Sequence, residues 1–112
     1  MHQYSYAEEK LDEALRILAT GAGDVRDRLY LWYWSVHFLN EGHFPDELKK
    51  DWQWITEQLT KYGPLTSTTF DGKPLIIYDS VKYTLKKIKN STGVKIAKKV
   101  YDLTRKLHTK ID

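Results

Sequence analysis

The sequence predicts a mainly α fold: a compact array of about five helices with a small β-hairpin insertion at about 66–78, in a single helical domain over 1–112. Three observations lead there. Apolar residues recur at three- and four-residue intervals, the spacing that gathers them on one helical face. Capping residues and Gly or Pro stops divide these stretches into five. One stretch, 66–78, loses the helical period and carries Asp71-Gly72 between two β-prone runs, a turn signal.

The first helix opens at Ser5-Tyr6-Ala7-Glu8, a capping-box pattern. Ala7, Leu11, Ala14, Leu15 and Leu18 share its inner face, and Gly21-Ala22-Gly23 ends it. Asp24 is a good N-cap for a second helix from Val25 to about Asn40. From Leu29 to Leu39 this helix is apolar nearly all round, the mark of a helix surrounded by others. Pro45, Asp46 and Glu47 suit the first turn of a third helix, where the missing proline N–H is harmless and acids meet the positive dipole end. Its stripe is Leu48, Trp52, Ile55 and Leu59, with Trp54 off the stripe. After Tyr62-Gly63-Pro64 comes the hairpin, with Pro74 confining its second strand to an edge. An isolated hairpin is marginal, so it is expected to lean on the helices.

Asp79 or Ser80 caps a fourth helix, which Asn90-Ser91-Thr92-Gly93 breaks. The fifth runs from about Thr92 to His108, about 25 Å, and buries Ile96, Val100, Leu103 and Leu107.

The charge is divided unevenly. Residues 1–79 hold 13 Asp/Glu against 8 Lys/Arg, and residues 80–112 hold 2 against 10, so a formal +3 conceals an acidic body and a basic end. A basic end of this kind points to a polyanion partner: nucleic acid, or an acidic protein surface. Lys82, Lys86, Lys89, Lys95, Lys98, Lys99 and Lys106 are the candidate contacts. Nine of the ten cations are Lys, which favours sequence-independent backbone contact over the bidentate base recognition that suits Arg. Ser91, Thr92 and Gly93, between Lys89 and Lys95, form a candidate phosphate loop at a helix start. The full P-loop is absent, because Val94 stands where its Lys belongs.

A second reading is a protein-interaction factor, such as an inhibitor, immunity protein or adaptor. It would use aromatic residues on the helices, with Tyr30, Trp34, Trp54, Arg26 and Arg28 as contacts. Trp32 and Trp52 fall on inner faces and belong to the core. The complementary charges of the two portions also suit a homo-oligomer.

No catalytic residue, metal ligand or cofactor is assigned. Without cysteine there is no disulfide framework and no thiol nucleophile. His37, Glu41, His43, Asp46 and Glu47 are the densest set of potential ligands, but no spacing among them fits an established site. His37, on an apolar helix, reads as a hydrogen-bonded core histidine. Small helical ribonucleases of the HEPN family use a short Arg-to-His spacer; here eight residues separate Arg28 from His37 and ten separate Arg26 from it, so the resemblance stops at fold class. The N-terminus has no apolar h-region and the longest apolar run is ten residues, so a cytoplasmic protein without a membrane partner is expected.

Overall fold

The computed structural model describes residues 3–111. The architecture is mainly α with a small two-stranded antiparallel hairpin. In chain order come α1 (Ser5–Thr20), α2 (Val25–Val36), a 3-10 turn (Glu41–His43), α3 (Asp46–Leu59), β1 (Leu65–Thr68), β2 (Pro74–Tyr78), α4 (Ser80–Lys87) and α5 (Asn90–Ile111). One contiguous core joins all five helices. α5 supplies Ile96, Val100, Leu103 and Leu107 to it and packs against α1, α2 and α3. Phe44 stacks on Trp52 at 5.0 Å, and Trp52 meets Trp32 at 6.2 Å, so the aromatic centre of the core lies between α2 and α3.

Asp24 caps α2 as its chemistry requires. Its carboxylate accepts the Arg26 and Asp27 N–H groups, and the Asp27 carboxylate returns to the Asp24 N–H. The box at Ser5 does not form. Ser5 lies inside α1, the cap position is Tyr4, and the Glu8 carboxylate turns instead to His108. α2 stops at Val36, short of Asn40, because Asn40 begins a separate turn: its Oδ1 accepts the Gly42 N–H and its own N–H donates to His43 Nδ1. α5 starts at Asn90 rather than Thr92. Gly93 does not break the helix; it is buried within it, where a Cβ would sit 3.0 Å from Val25 and 3.4 Å from Arg26. That glycine lets α5 cross the start of α2 closely.

α2 is not surrounded. Leu29, Trp32 and Val36 are fully buried, while Leu31, Trp34 and Phe38 keep 49%, 43% and 41% exposure. The all-round apolar pattern therefore marks two faces, of which neighbouring helices cover one.

The hairpin also departs from expectation. Its turn is longer than Asp71-Gly72. Gly72 donates to the Thr69 carbonyl at 2.9 Å, Thr69 donates to Lys73 at 2.8 Å, and Gly72 takes φ +81°. That is the pattern of a type I turn closed by a left-handed glycine. The hairpin leans on the helices at its root, where the Tyr78 ring of β2 meets Lys82 and Lys86 of α4. Leu75, Ile76 and Ile77 are about half exposed or more, and Phe70 at the tip is fully exposed. The radius of gyration, 15.5 Å, accordingly exceeds the ~13 Å of a compact chain of this size.

Candidate polyanion-binding groove

The basic residues do not form one field along α5. On the face of α5 towards α3, Asp51 takes Lys99 at 3.1 Å and Lys106 at 3.3 Å, and Glu47 takes Lys110 at 2.9 Å. Burial of the Asp51 carboxyl works to raise its pKa, but hydrogen bonds from the two ammonium groups outweigh it and hold it below the ordinary aspartate value. Lys99 also lies 5.9 Å from the Trp54 ring, so Trp54 is half covered by the same arrangement. Lys99 and Lys106 thus share one carboxylate, which offsets one of their two charges and holds both against α3.

At α4 the cations stand differently. Asp79 caps this helix through the Lys82 N–H at 2.8 Å, and its other oxygen accepts the Tyr30 hydroxyl at 2.8 Å, tying α4 to α2. Burial, then the Asp79 carboxylate, push the Tyr30 phenol up. Beside this tie an open groove of about 630 Å³ lies between α2 and α4, lined by Arg26, Tyr30, Leu31, Lys82, Leu85 and Lys86, with Asp27 as its acid. The Lys82 ammonium lies 5.7 Å from the Tyr30 ring centre and 5.5 Å from that of Tyr78; Lys86 is 4.9 Å from Tyr78. Among the described residues, Lys82, Lys86, Lys89, Lys95 and Lys98 form no salt bridge. Lys82 and Lys86 lie one turn apart on α4, but Lys89 does not share their helical face, because α4 ends at Lys87 and Ile88 turns extended before it. Lys98 lies apart, on a shallow hollow beside Tyr101 and Val25.

Two arginines near the start of α2, where a positive dipole end disfavours cations, find their reason here. Arg26 donates to the Ile88 carbonyl past the end of α4 at 3.2 Å and pairs with Asp24 at 3.0 Å. Arg28 donates to Leu18 and Gly23 at the end of α1. Each serves the negative end of another helix. Both are thereby engaged in the fold, and Arg26 also lines the groove.

Ser91, Thr92 and Gly93 lie in the first turn of α5 and form no loop. The Gly93 N–H already donates to Lys89 at 3.0 Å.

The histidine and acid set around 37–47 does not converge. His37 is exposed, and its Nδ1 lies 2.7 Å from the Trp34 carbonyl, so it is hydrogen-bonded but not in the core. Glu41 accepts from Gln53, Asp46 pairs with Lys49, and Glu47 with Lys110. The set that does converge is Glu8, Asp12 and His108, whose ligand atoms lie within 4.8 Å of one another. Sequence spacing carries no sign of it, since a hundred residues separate its parts. His108 Nδ1 lies 3.0 Å from Glu8, whose carboxyl is lowered first by that hydrogen bond and then by one from Asp12. Burial and the neighbouring Glu8 raise Asp12. Two carboxyl groups and an imidazole are a donor set a divalent cation accepts, and they also close a clasp between α1 and α5 without one.

No helix among the described residues is long and apolar enough to cross a membrane. No protein-family model, curated protein or solved structure matches the chain, so the groove stands on its own chemistry.

Proposed function

We propose that this chain is a non-enzymatic binding protein that holds a polyanion, nucleic acid, through the groove between α2 and α4. One observation carries the reading: Lys82 and Lys86 face Arg26 across a concave surface and form no salt bridge among the described residues. Lys89 stands two residues past the end of α4, outside the lining of the groove. Phosphates entering the groove replace the ring contacts of Lys82 and Lys86 and compete with Asp24 for Arg26, and each neutralised phosphate releases counterions. With four phosphates engaged, affinity falls with salt at a log–log slope of about −3. Lys99 and Lys106 contribute little, being engaged with Asp51. The absence of cysteine suits a cytoplasmic setting, where such ligands are plentiful.

Fluorescence anisotropy with a labelled oligonucleotide at about 50 mM salt tests this. Lys82, Lys86 and Lys89 changed together to Glu are expected to abolish binding. The Lys99→Gln/Lys106→Gln pair is expected to leave it nearly unchanged. Absence of binding by the unaltered protein, or indifference to the triple charge reversal, overturns the proposal.

The hairpin favours a second reading, contact with a protein partner. Its two charges, Asp71 and Lys73, lie 3.8 Å apart and offset each other, while Phe70 and Ile76 are open to water. A partner that co-purifies and is lost on Phe70→Ser/Ile76→Ser would establish it.

A further inference from the structure

We infer that the groove's ligand is a single strand, its phosphates held by Arg26, Lys82 and Lys86 and its bases laid along an aromatic row that runs from the half-buried Tyr30 through the exposed Trp34 of α2 to the exposed Phe38 just past that helix. The inference rests on the polyanion reading above and narrows it.

The row starts inside the groove. Tyr30 lines it and meets Trp34 edge-on, with ring centres 6.3 Å apart at 78°. Trp34 is met at 86° by Tyr33, 5.4 Å away, and by His37 at 5.1 Å; His37 in turn meets Phe38 at 6.0 Å. Trp34 and Phe38 nevertheless stay 43% and 41% exposed. A large ring held on two sides and left open to water is set in advance for stacking, because little rotamer freedom remains to be lost on binding. Tyr30 and Trp34 follow at i, i+4 on α2, a rise of about 6 Å, and Phe38 lies two residues past the helix end. An extended strand spans such a step between neighbouring bases.

Duplex nucleic acid does not use this surface. Its bases are stacked inside, and it would set charged phosphates against Leu31, Trp34 and Phe38. A single strand offers both parts at once: phosphates for the cations, and π-faces for the rings. The acid at the groove, Asp27, is occupied by the Asp24 N–H at 3.1 Å. The continuity of a cationic groove with an aromatic row suits a strand, which supplies phosphates and π-faces in alternation along one chain.

The test titrates three probes of equal phosphate number at the same salt: a labelled oligo-dT of about 12 nucleotides, a duplex, and inorganic polyphosphate. The single strand is expected to bind at least about tenfold more tightly than the duplex and to quench tryptophan fluorescence, which polyphosphate does not. Trp34→Ala is expected to weaken single-strand binding about 10- to 100-fold and to leave polyphosphate binding unchanged, with Trp34→Phe restoring most of the loss. Circular dichroism checks that both variants fold. Equal affinity for strand and duplex, with Trp34→Ala silent, overturns this inference and leaves the polyanion reading intact. Failure of all three probes overturns both. A co-purifying protein lost on Trp34→Ala, with oligonucleotide binding unchanged, assigns the row to a protein contact and overturns the inference.

Discussion

The carboxylate of Asp51 on α3 stands 3.1 Å from the Lys99 ammonium on α5, and its second oxygen takes Lys106 at 3.3 Å. This one acid decides how the charge asymmetry of the chain is displayed. It spends two cations of the basic end on the packing of α5 against α3, while Lys82 and Lys86 of α4 and Lys95 and Lys98 of α5 form no salt bridge among the described residues.

Asp51→Asn is expected to destabilise the fold by about 0.5–1 kcal/mol near neutral pH, a modest figure because both ammonium groups remain more than a third exposed. The Asp51 carboxyl is depressed in the fold. Its contribution is therefore present above the unfolded aspartate value of about 3.9 and disappears as pH falls through the lower folded value. Urea unfolding of wild type and variant should converge in acid, whereas a gap that persists unchanged would rule out the ion-pair account.

Asp12→Asn should raise the melting temperature at pH 7. Asp12 is raised by burial and by Glu8, so the folded state holds that proton more tightly than the unfolded chain does. Stability falls as pH rises through the window above the ordinary aspartate value, and the whole cost is present at neutrality. The amide keeps a donor towards Glu8 without the like charge. Thermal melts at neutral pH and near pH 3 distinguish the outcomes, since the gain should vanish in acid.

Thr84→Val is expected to cost about 1–2 kcal/mol, because the fully buried Thr84 hydroxyl accepts the Tyr62 N–H at 3.1 Å and the valine leaves that donor unmet. Thr104 is equally buried, but its hydroxyl donates back to Val100 within its own helix at 2.9 Å. Thr104→Val should be close to neutral. Equal effects in denaturant titrations would show that the inter-element bond has no special weight.

Replacing residues 65–78 by a short Gly-Ser turn should leave the helical body folded, with its midpoint within a few degrees of wild type. No residue of either strand is fully buried. A large drop in the circular dichroism melt would mean that the hairpin braces α4.

What could be read from the sequence was what the chain settles locally. Asp24 and Asp27 are three residues apart, and their cap forms as the pattern requires. Leu48, Trp52, Ile55 and Leu59 were visible as a stripe and are all buried. Where a local signal met a distant competitor, the reading failed. Glu8 has the spacing to close a box at Ser5, yet His108, a hundred residues on, claims it. Arg26 and Arg28 looked misplaced because the helix ends they serve belong to α4 and α1. The lysines of 80–112 could be counted but not sorted, since Asp51 and Glu47 reach three of them only in the folded state. Ring exposure along α2 was legible in part: Trp34, expected as an outer contact, is 43% exposed and Trp32, expected in the core, is buried, whereas Tyr30 is half-buried by its tie to Asp79.

Leu65 and Tyr78 stand opposite each other at the root of the hairpin, so the chain leaves the helical body and returns to it at a single point. Everything beyond that root is an appendix whose length and chemistry can drift under mutation without disturbing a helix contact. The body and its finger are separate units of variation, and a foreign loop or tag spliced at this root would be carried as passively as the native one.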